Sequence, residues 1–174
     1  MDTSSTRRRF FRTAGAVSLA TVATAAGTSA AAASQLDPQA GSGTIEPGPA
    51  TDLVRKFCAV WSRLDAAELG AFFTADATYR NIPIPGVYSG REAIQEALAG
   101  QIQVLQYTTL TVLSAVSWKH TVIATRIDSF RYTNSDHDVD LPIVGVFQLT
   151  PDFRHFTSWV DYFDLAQSEF DTVG

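Results

Sequence analysis

The sequence predicts an α+β domain in which helices cover one face of a curved, cone-like antiparallel sheet. Apolar residues recur at helical spacing in the first half of the domain, and β-branched and aromatic residues alternate with polar ones in the second half. The turns between the later blocks are short, which favours antiparallel neighbours. Helices gathered on one face of such a sheet leave a single pocket between the two layers.

Residues 1–33 have the form of a twin-arginine signal peptide. Residues 6–12 (TRRRFFR) carry the arginines, two phenylalanines and a further cation, and the Ala-, Val- and Thr-rich stretch behind them ends in three alanines. That stretch is too poor in Leu and Ile for a permanent membrane span. We therefore expect a bacterial protein that the twin-arginine machinery exports to the periplasm or the medium. Residues 34–50, rich in Gly and Pro, are predicted as a flexible leader, and residues 51–174 as the folded domain.

Composition and charge exclude several classes of protein. With 45% hydrophobic and 11% aromatic residues, the chain is expected to be globular. The net charge is −5, and the +3 carried by residues 1–33 leaves −8 on the remainder, so nucleic acid is not an expected partner. The single cysteine, Cys58, lies in an apolar helical run and is expected to pack in the core. The three histidines are scattered, so we expect no metal site.

Capping residues and hydrophobic periodicity predict the individual elements. In chain order, we expect a helix capped by Thr51 and Asp52, a helix over residues 66–73 capped by Asp65, a strand over residues 77–82, a helix from residues 89–92 with Ile94 and Leu98 inward, strands over residues 109–118, 121–132, 138–150 and 156–163, and a helical tail over residues 165–170.

Two ionisable residues interrupt one face of the strand over residues 121–132. In a two-residue period, Arg126 and Asp128 share a face with Phe130 and Tyr132, which we expect to be the concave face. The alternative is a rotated sheet in which Arg126 and Asp128 form a solvated surface ion pair of little energetic value.

The last strand places an aspartate between large aromatic residues. The two-residue period groups on one face His155, Thr157, Trp159, Asp161 and Phe163. A carboxylate in that apolar setting is costly to desolvate unless a cation meets it. Arg126 is the candidate, because its planar guanidinium can bind one carboxylate on each edge.

Tyr79 and Asn81 lie two residues apart on the short strand and therefore on one face. Their hydroxyl and amide groups, together with Asp161, could hold one water molecule at three points. The alternative is a buried tyrosine packed beside an asparagine that caps the turn at Pro83.

Three short segments resemble, in the same order, the motifs of the limonene-1,2-epoxide hydrolase family: residues 79–83 (YRNIP), 126–128 (RID) and 159–164 (WVDYFD). The likeness extends over roughly residues 51–170, with a departure at Val160, where the family motif often has Arg. It implies the nuclear transport factor 2-like cone, often found as a dimer, and no metal or cofactor. A homodimer is therefore expected.

The resemblance also implies the role of each polar residue. Asp161 is the general base, Arg126 the bridge and Asp128 the general acid, while Tyr79 and Asn81 position the attacking water. Water would add in one step to a small apolar epoxide and give a vicinal diol, without a covalent ester. One carboxyl must be ionised and the other protonated, which an apolar pocket and a shared arginine favour.

The remaining pocket residues are expected to be apolar and to bind the substrate. The candidates are Trp159, Phe163, Phe130, Leu105, Ile143 and Phe147. The same cone could instead serve a ketosteroid-isomerase-like enzyme, a cyclase that opens an epoxide with an internal hydroxyl, or a non-catalytic binder of an apolar molecule. An arginine between two acids suits water activation better than isomerisation.

Overall fold

The computed structural model describes residues 43–168, and the predicted helices and strands occur there in the predicted order, with one additional short strand at Tyr88–Ser89. The helices are α1 (Pro49–Val60), α2 (Ala66–Gly70), α3 (Arg91–Gln103) and α4 (Leu165–Ser168), with a 3₁₀ turn at Trp61–Arg63. The strands are β1 (Phe73–Ile82), β2 (Tyr88–Ser89), β3 (Leu105–Trp118), β4 (Thr121–Tyr132), β5 (Val139–Leu149) and β6 (Phe156–Tyr162). The predicted signal peptide over residues 1–33 and the last two residues of the predicted tail lie outside the described residues.

The six strands form one curved sheet in the order β2-β1-β6-β5-β4-β3, with helices packed against it. All neighbours are antiparallel except β1 and β6, which run parallel. The predicted α+β fold is confirmed, but the sheet is mixed rather than wholly antiparallel. Short turns connect β3 to β4, β4 to β5 and β5 to β6, and each of these strands pairs with the next. The parallel partner of β1 is instead β6, about 80 residues later in the chain, as the hydrogen bond between the Thr78 and Ser158 hydroxyls illustrates.

The N-terminal boundary of the fold differs from the prediction. Helix α1 begins at Pro49, and neither Thr51 nor Asp52 caps it. Proline at the first helical position needs no N–H partner there, which explains the earlier start. Thr51 instead donates its hydroxyl hydrogen bond to the carbonyl of Gly48, 3.0 Å away. Ile45 forms a parallel bridge with Ala115, so part of the predicted leader belongs to the fold.

Asp65 caps α2 as predicted, accepting hydrogen bonds from two backbone N–H groups of the first turn. The helix ends at Gly70 rather than at residue 73, because Phe73 already belongs to β1. Phe73 is fully buried, with its ring 5.7 Å from that of Phe57. Tertiary packing of Phe73 thus ends the helix earlier than local periodicity suggests.

The hydrophobic core lies between the helices and the concave face of the sheet. Phe57 stands at its centre, and Ile94 and Leu98 of α3 are fully buried as predicted. Cys58 is buried in the same core, where desolvation raises the pKa of its thiol to about 12, so the thiol is neutral and its predicted packing role is confirmed. Within residues 43–168, no helix has both the length and the apolar character needed to cross a membrane.

Candidate active site

A pocket opens between the helices and the sheet, and all five predicted polar residues line it. They are Tyr79, Asn81, Arg126, Asp128 and Asp161. Five of the six predicted apolar residues also line it: Leu105, Phe130, Ile143, Trp159 and Phe163. The residues that the patterns of β1, β4 and β6 predicted therefore lie together in one pocket.

Phe147 is the exception, and its predicted place in the pocket is wrong. Its side chain points inward from β5, as alternation predicts, but it lies beneath the site in the main core. Its ring is 5.1 Å from that of Phe156 and stacks 6.0 Å from that of Trp159. Phe147 therefore packs against the ring of Trp159 on the core side of the pocket wall.

Strand β4 presents Arg126 and Asp128 to the pocket because its two-residue alternation is unbroken. Val122, Ala124, Arg126, Phe130 and Tyr132 are all buried on this face. The side chain of Arg126 is 1% exposed and that of Asp128 13%, which rules out the alternative of a solvated surface pair.

Strand β6 contains a bulge that changes which residues accompany Asp161. Leu149 pairs with Phe156 and Gln148 with Ser158, so Thr157 is an extra residue in the ladder. Thr157 is exposed, and the prediction that it and His155 share the face of Asp161 is wrong. The alternation holds from Trp159 onward, where Trp159 and Asp161 are both buried.

Arg126 binds both carboxylates, one on each edge of its guanidinium. Nε donates to Oδ1 of Asp128 at 2.7 Å, and Nη2 donates to Oδ2 of Asp128 at 3.2 Å. On the other edge, Nη1 donates to Oδ1 of Asp161 at 2.9 Å, and Nη2 also donates to Oδ2 of Asp161. Lysine could not hold two planar carboxylates in this way.

Asp161 receives a further hydrogen bond from within its own strand. The indole Nε1 of Trp159 donates to Oδ1 of Asp161 at 2.6 Å. Oδ1 thus accepts two hydrogen bonds and Oδ2 accepts one. One lone pair of Oδ2 is left for a group in the pocket.

Gly145 makes room for the arginine to reach across β5. It pairs with Ala124 on one side and with Asp161 on the other, so it lies directly between the two strands that carry the site. A Cβ at this position would lie 2.6 Å from Nη1 of Arg126 and 3.0 Å from Oδ1 of Asp161. Only glycine leaves space for the guanidinium here.

Gly145→Ala is therefore expected to destabilise the fold by about 1 to 3 kcal/mol, because the added methyl group overpacks the site. Urea unfolding measures the loss. Gly100→Ala is the matched control, since Gly100 lies in α3 with nothing within 4 Å of an added Cβ, and it should gain about 0.5 to 1 kcal/mol. Equal effects of the two substitutions would contradict the assigned role of Gly145.

Burial and charge shift the pKa values of Arg126 and Asp128. Burial lowers the pKa of Arg126, but Asp161 and Asp128 more than offset this and hold it well above its usual range, so the arginine stays charged. Burial raises the pKa of Asp128 to about 6, although Arg126 opposes the rise. A single proton shared by the two carboxyls beside the arginine would make the buried site neutral, and a neutral site costs least to desolvate.

Tyr79 and Asn81 lie on β1 beside Asp161, and Asn81 pairs with Asp161 across the parallel strands. The ring of Tyr79 stacks on that of Trp159 with centroids 4.2 Å apart. Its hydroxyl accepts a hydrogen bond from Nε2 of Gln101 at 3.2 Å. Burial, followed by the charge of Asp161, raises the pKa of Tyr79, so its hydroxyl remains protonated.

Several features of the site are absent from the sequence prediction, among them Gly145 as the space for the arginine, Gln101 as the partner of Tyr79, and the indole N–H of Trp159 as a donor to Asp161. A glycine inside the apolar strand over residues 138–150 is itself a signal of close approach. Nothing in the helical pattern of α3 distinguishes Gln101 from a surface residue.

Known proteins share this fold. The family described as SnoaL-like domain matches residues 54–154. A protein with a ketosteroid isomerase-like fold from Catenulispora acidiphila is 22% identical, with a TM-score of 0.62 over 67% of this chain and 88% of its own. An LEH-like epoxide hydrolase from M. tuberculosis is 20% identical, with a TM-score of 0.59 over 68% of this chain and 85% of its own.

A protein from Shewanella putrefaciens that is described as a SnoaL-like polyketide cyclase is 18% identical, with a TM-score of 0.64 over 74% of this chain and 98% of its own. At these identities the likeness of all three structures is one of fold. The fold is thus shared by proteins described as epoxide hydrolase, polyketide cyclase and ketosteroid isomerase-like.

Proposed function

The chain belongs to the SnoaL-like domain family, and from that premise we propose that it is a cofactor-independent epoxide hydrolase. It would add water to a small apolar epoxide and release a vicinal diol. One observation carries the proposal: a buried arginine bound on both edges to two aspartates in a largely apolar pocket. Opening an epoxide with water requires one base and one acid, and this arrangement supplies both.

Asp161 is the proposed general base. Its Oδ2 has one lone pair directed away from the arginine, and Tyr79 and Asn81 line the pocket on the neighbouring strand. A water held by Asn81, Tyr79 and Asp161 would have its oxygen free to attack and its proton aimed at Oδ2. In this proposal Asp161 is the carboxylate of the pair, with Arg126 as its hydrogen-bonded counterion, and Oδ2 accepts that proton.

Asp128 is the proposed general acid. It lies on the far edge of Arg126 from Asp161, so base and acid face the substrate from two sides. Its Oδ2 makes the longer contact with the arginine, 3.2 Å against 2.7 Å for Oδ1, and is the oxygen that can carry the proton. A pKa raised to about 6 keeps a useful fraction protonated near neutral pH.

The reaction balances without any further reagent. The water oxygen bonds to one epoxide carbon as the bond from that carbon to the ring oxygen breaks. The water proton passes to Asp161, and the proton of Asp128 passes to the ring oxygen, which becomes the second hydroxyl. Asp161 is then protonated and Asp128 ionised, and a proton exchange between the two carboxyls, both held by Arg126, restores the starting state.

This assignment predicts a pH profile. Because Asp128 must be protonated, kcat/KM should be high below about pH 6 and fall about tenfold per unit as the pH rises above it. Rates of diol formation between about pH 5 and about pH 8.5, corrected for uncatalysed opening, measure this limb. A profile that rises steadily over that range would show that protonated Asp128 is not the acid.

The proposal is tested by incubating the purified protein, dialysed against a chelator, with limonene, cyclohexene and styrene oxides and quantifying the diols. We expect at least one epoxide to be converted, with Asp128→Asn reducing its kcat/KM by about 10² to 10⁴. Asp140→Asn is the matched control, since Asp140 is exposed on β5 and accepts a hydrogen bond from Ser129 away from the pocket. If the wild-type protein converted none of these, or Asp128→Asn remained fully active, the proposed function would be wrong.

A further inference from the structure

We propose that the substrate carries, besides the epoxide, a second oxygen that the hydroxyl of Thr108 binds. This inference rests on the proposed function and names the class of its substrate: an apolar epoxide with a distant carbonyl or hydroxyl group. Thr108 has no role in the chemistry described above, and its surroundings nevertheless mark it as part of the pocket.

Thr108 lies on β3 with its side chain inward, is 3% exposed and lines the pocket. Its hydroxyl makes no hydrogen bond to another residue of 43–168, and it is not one of the fully buried unpaired atoms of that range, so it is open to the pocket. Thr51, which is buried to a similar extent, donates to the carbonyl of Gly48. A hydroxyl that faces a largely apolar pocket without a protein partner is available to bind a polar group of the ligand.

A second unpaired donor lies in the same pocket. The ring of Trp61 lines the cavity, and its indole N–H is buried without a hydrogen-bond partner in the described part of the chain. Trp61 stands on the 3₁₀ turn and Thr108 on the sheet, so two independent elements each supply a donor. A purely hydrocarbon epoxide would leave both donors unpaired, whereas an oxygen acceptor could receive a hydrogen bond from either.

The register of the sheet places this subsite relative to the reacting groups. Leu110 pairs with Asp128 and Thr108 with Phe130, so Thr108 lies one strand over and two residues along from the proposed acid. That offset is about 8 Å between the Cα atoms of Thr108 and Asp128. The second oxygen should therefore stand across a six-membered ring from the epoxide rather than on an adjacent carbon.

Two epoxides of similar size test the inference: 4-vinylcyclohexene 1,2-epoxide and its 4-acetyl counterpart. Thr108→Val keeps the shape of the side chain and removes the hydroxyl. We expect Thr108→Val to lower kcat/KM for the acetyl epoxide about tenfold, a loss at least fivefold larger than the loss for the vinyl epoxide. Thr108→Ser, which keeps a hydroxyl, should restore the wild-type preference for the acetyl epoxide. Thr109→Val is the control, because Thr109 is exposed on the other face of β3. An equal change for both epoxides would overturn the assignment.

Binding of unreactive ligands separates this inference from the proposed function. Cyclohexyl methyl ketone carries the acetyl group and vinylcyclohexane the vinyl group, and neither contains an epoxide. Quenching of the fluorescence of Trp61 and Trp159, which line the pocket, reports the affinity of each ligand. A ketone bound about tenfold more weakly by Thr108→Val than by wild type supports the subsite, even if no epoxide is opened. Epoxides opened without any preference for the ketone would support the hydrolase and overturn the subsite.

Discussion

Asp161→Asn is expected to lower kcat/KM for epoxide opening by about 10³-fold or more while the protein remains folded. Asparagine has nearly the same shape, and its carbonyl oxygen can still accept hydrogen bonds from Arg126 and Trp159, as Oδ1 of Asp161 does. It cannot take a proton from water, and general base assistance accounts for about 10² to 10⁴ of the rate. Initial rates, with circular dichroism and thermal melting of the same samples, measure both effects.

The control for Asp161→Asn is Asp138→Asn. Asp138 also pairs with an arginine, Arg131, but the side chain of Asp138 is 50% exposed, and both residues lie on the surface. This control should retain the wild-type rate. If Asp161→Asn kept more than about a tenth of the activity, Asp161 would not be the base.

Arg126→Met is expected to cost about 3 to 5 kcal/mol in free energy of unfolding near neutral pH. Methionine fills much of the same volume but leaves two buried carboxyls without their cation, and the loss of one partner from a buried ion pair is strongly destabilising. The penalty should shrink as the pH is lowered, because protonation then neutralises the carboxyls. Urea unfolding at about pH 5 and at about pH 7.5 measures the change.

Arg131→Met provides the matched comparison for Arg126→Met. Arg131 binds Asp138 at 2.7 Å, but its side chain is 34% exposed, so its loss should cost less than about 1 kcal/mol. Adding Asp128→Asn and Asp161→Asn to Arg126→Met should recover part of the lost stability, because no buried charge would remain. Equal penalties for the two arginine substitutions would show that the buried network is not the stabilising element described here.

The polar residues of the site could be predicted because they lie on uninterrupted parts of strands. Alternation in β4 places Arg126 and Asp128 on the buried face, and the buried end of β6 places Asp161 opposite them. An acid among aromatic residues needs a cation, and that physical requirement alone pairs Asp161 with Arg126.

Other features depended on contacts between distant parts of the chain. The bulge at Thr157 reverses which residues of β6 face inward, and no local pattern marks it. The depth of Phe147 depends on how α1 covers the sheet, which also determines that it packs on Phe57 rather than lining the pocket. The parallel pairing of β1 with β6 joins segments about 80 residues apart, a distance over which short-range signals carry no information.

Local signals and tertiary contacts also determine, in different places, where the shorter elements begin and end. Asp65 caps α2 because a side-chain oxygen close in sequence can accept from the first-turn N–H groups, a local effect. The start of α1 at Pro49 is local as well, but proline competes there with Thr51 and Asp52, which are also favourable near a helix start. The short strand β2 is held by its pairing with β1 at Thr78 and Tyr79, which is a tertiary contact.

The most direct test of the central claim is a single turnover in oxygen-18 water with the protein in excess over an epoxide that it converts. Direct attack by a water held at Asp161 predicts that the diol of this first turnover carries one oxygen-18 atom and that no label enters the protein. An unlabelled diol accompanied by label in a carboxyl of Asp161 or Asp128 would instead indicate a covalent ester. That result would contradict the one-step mechanism proposed for this site.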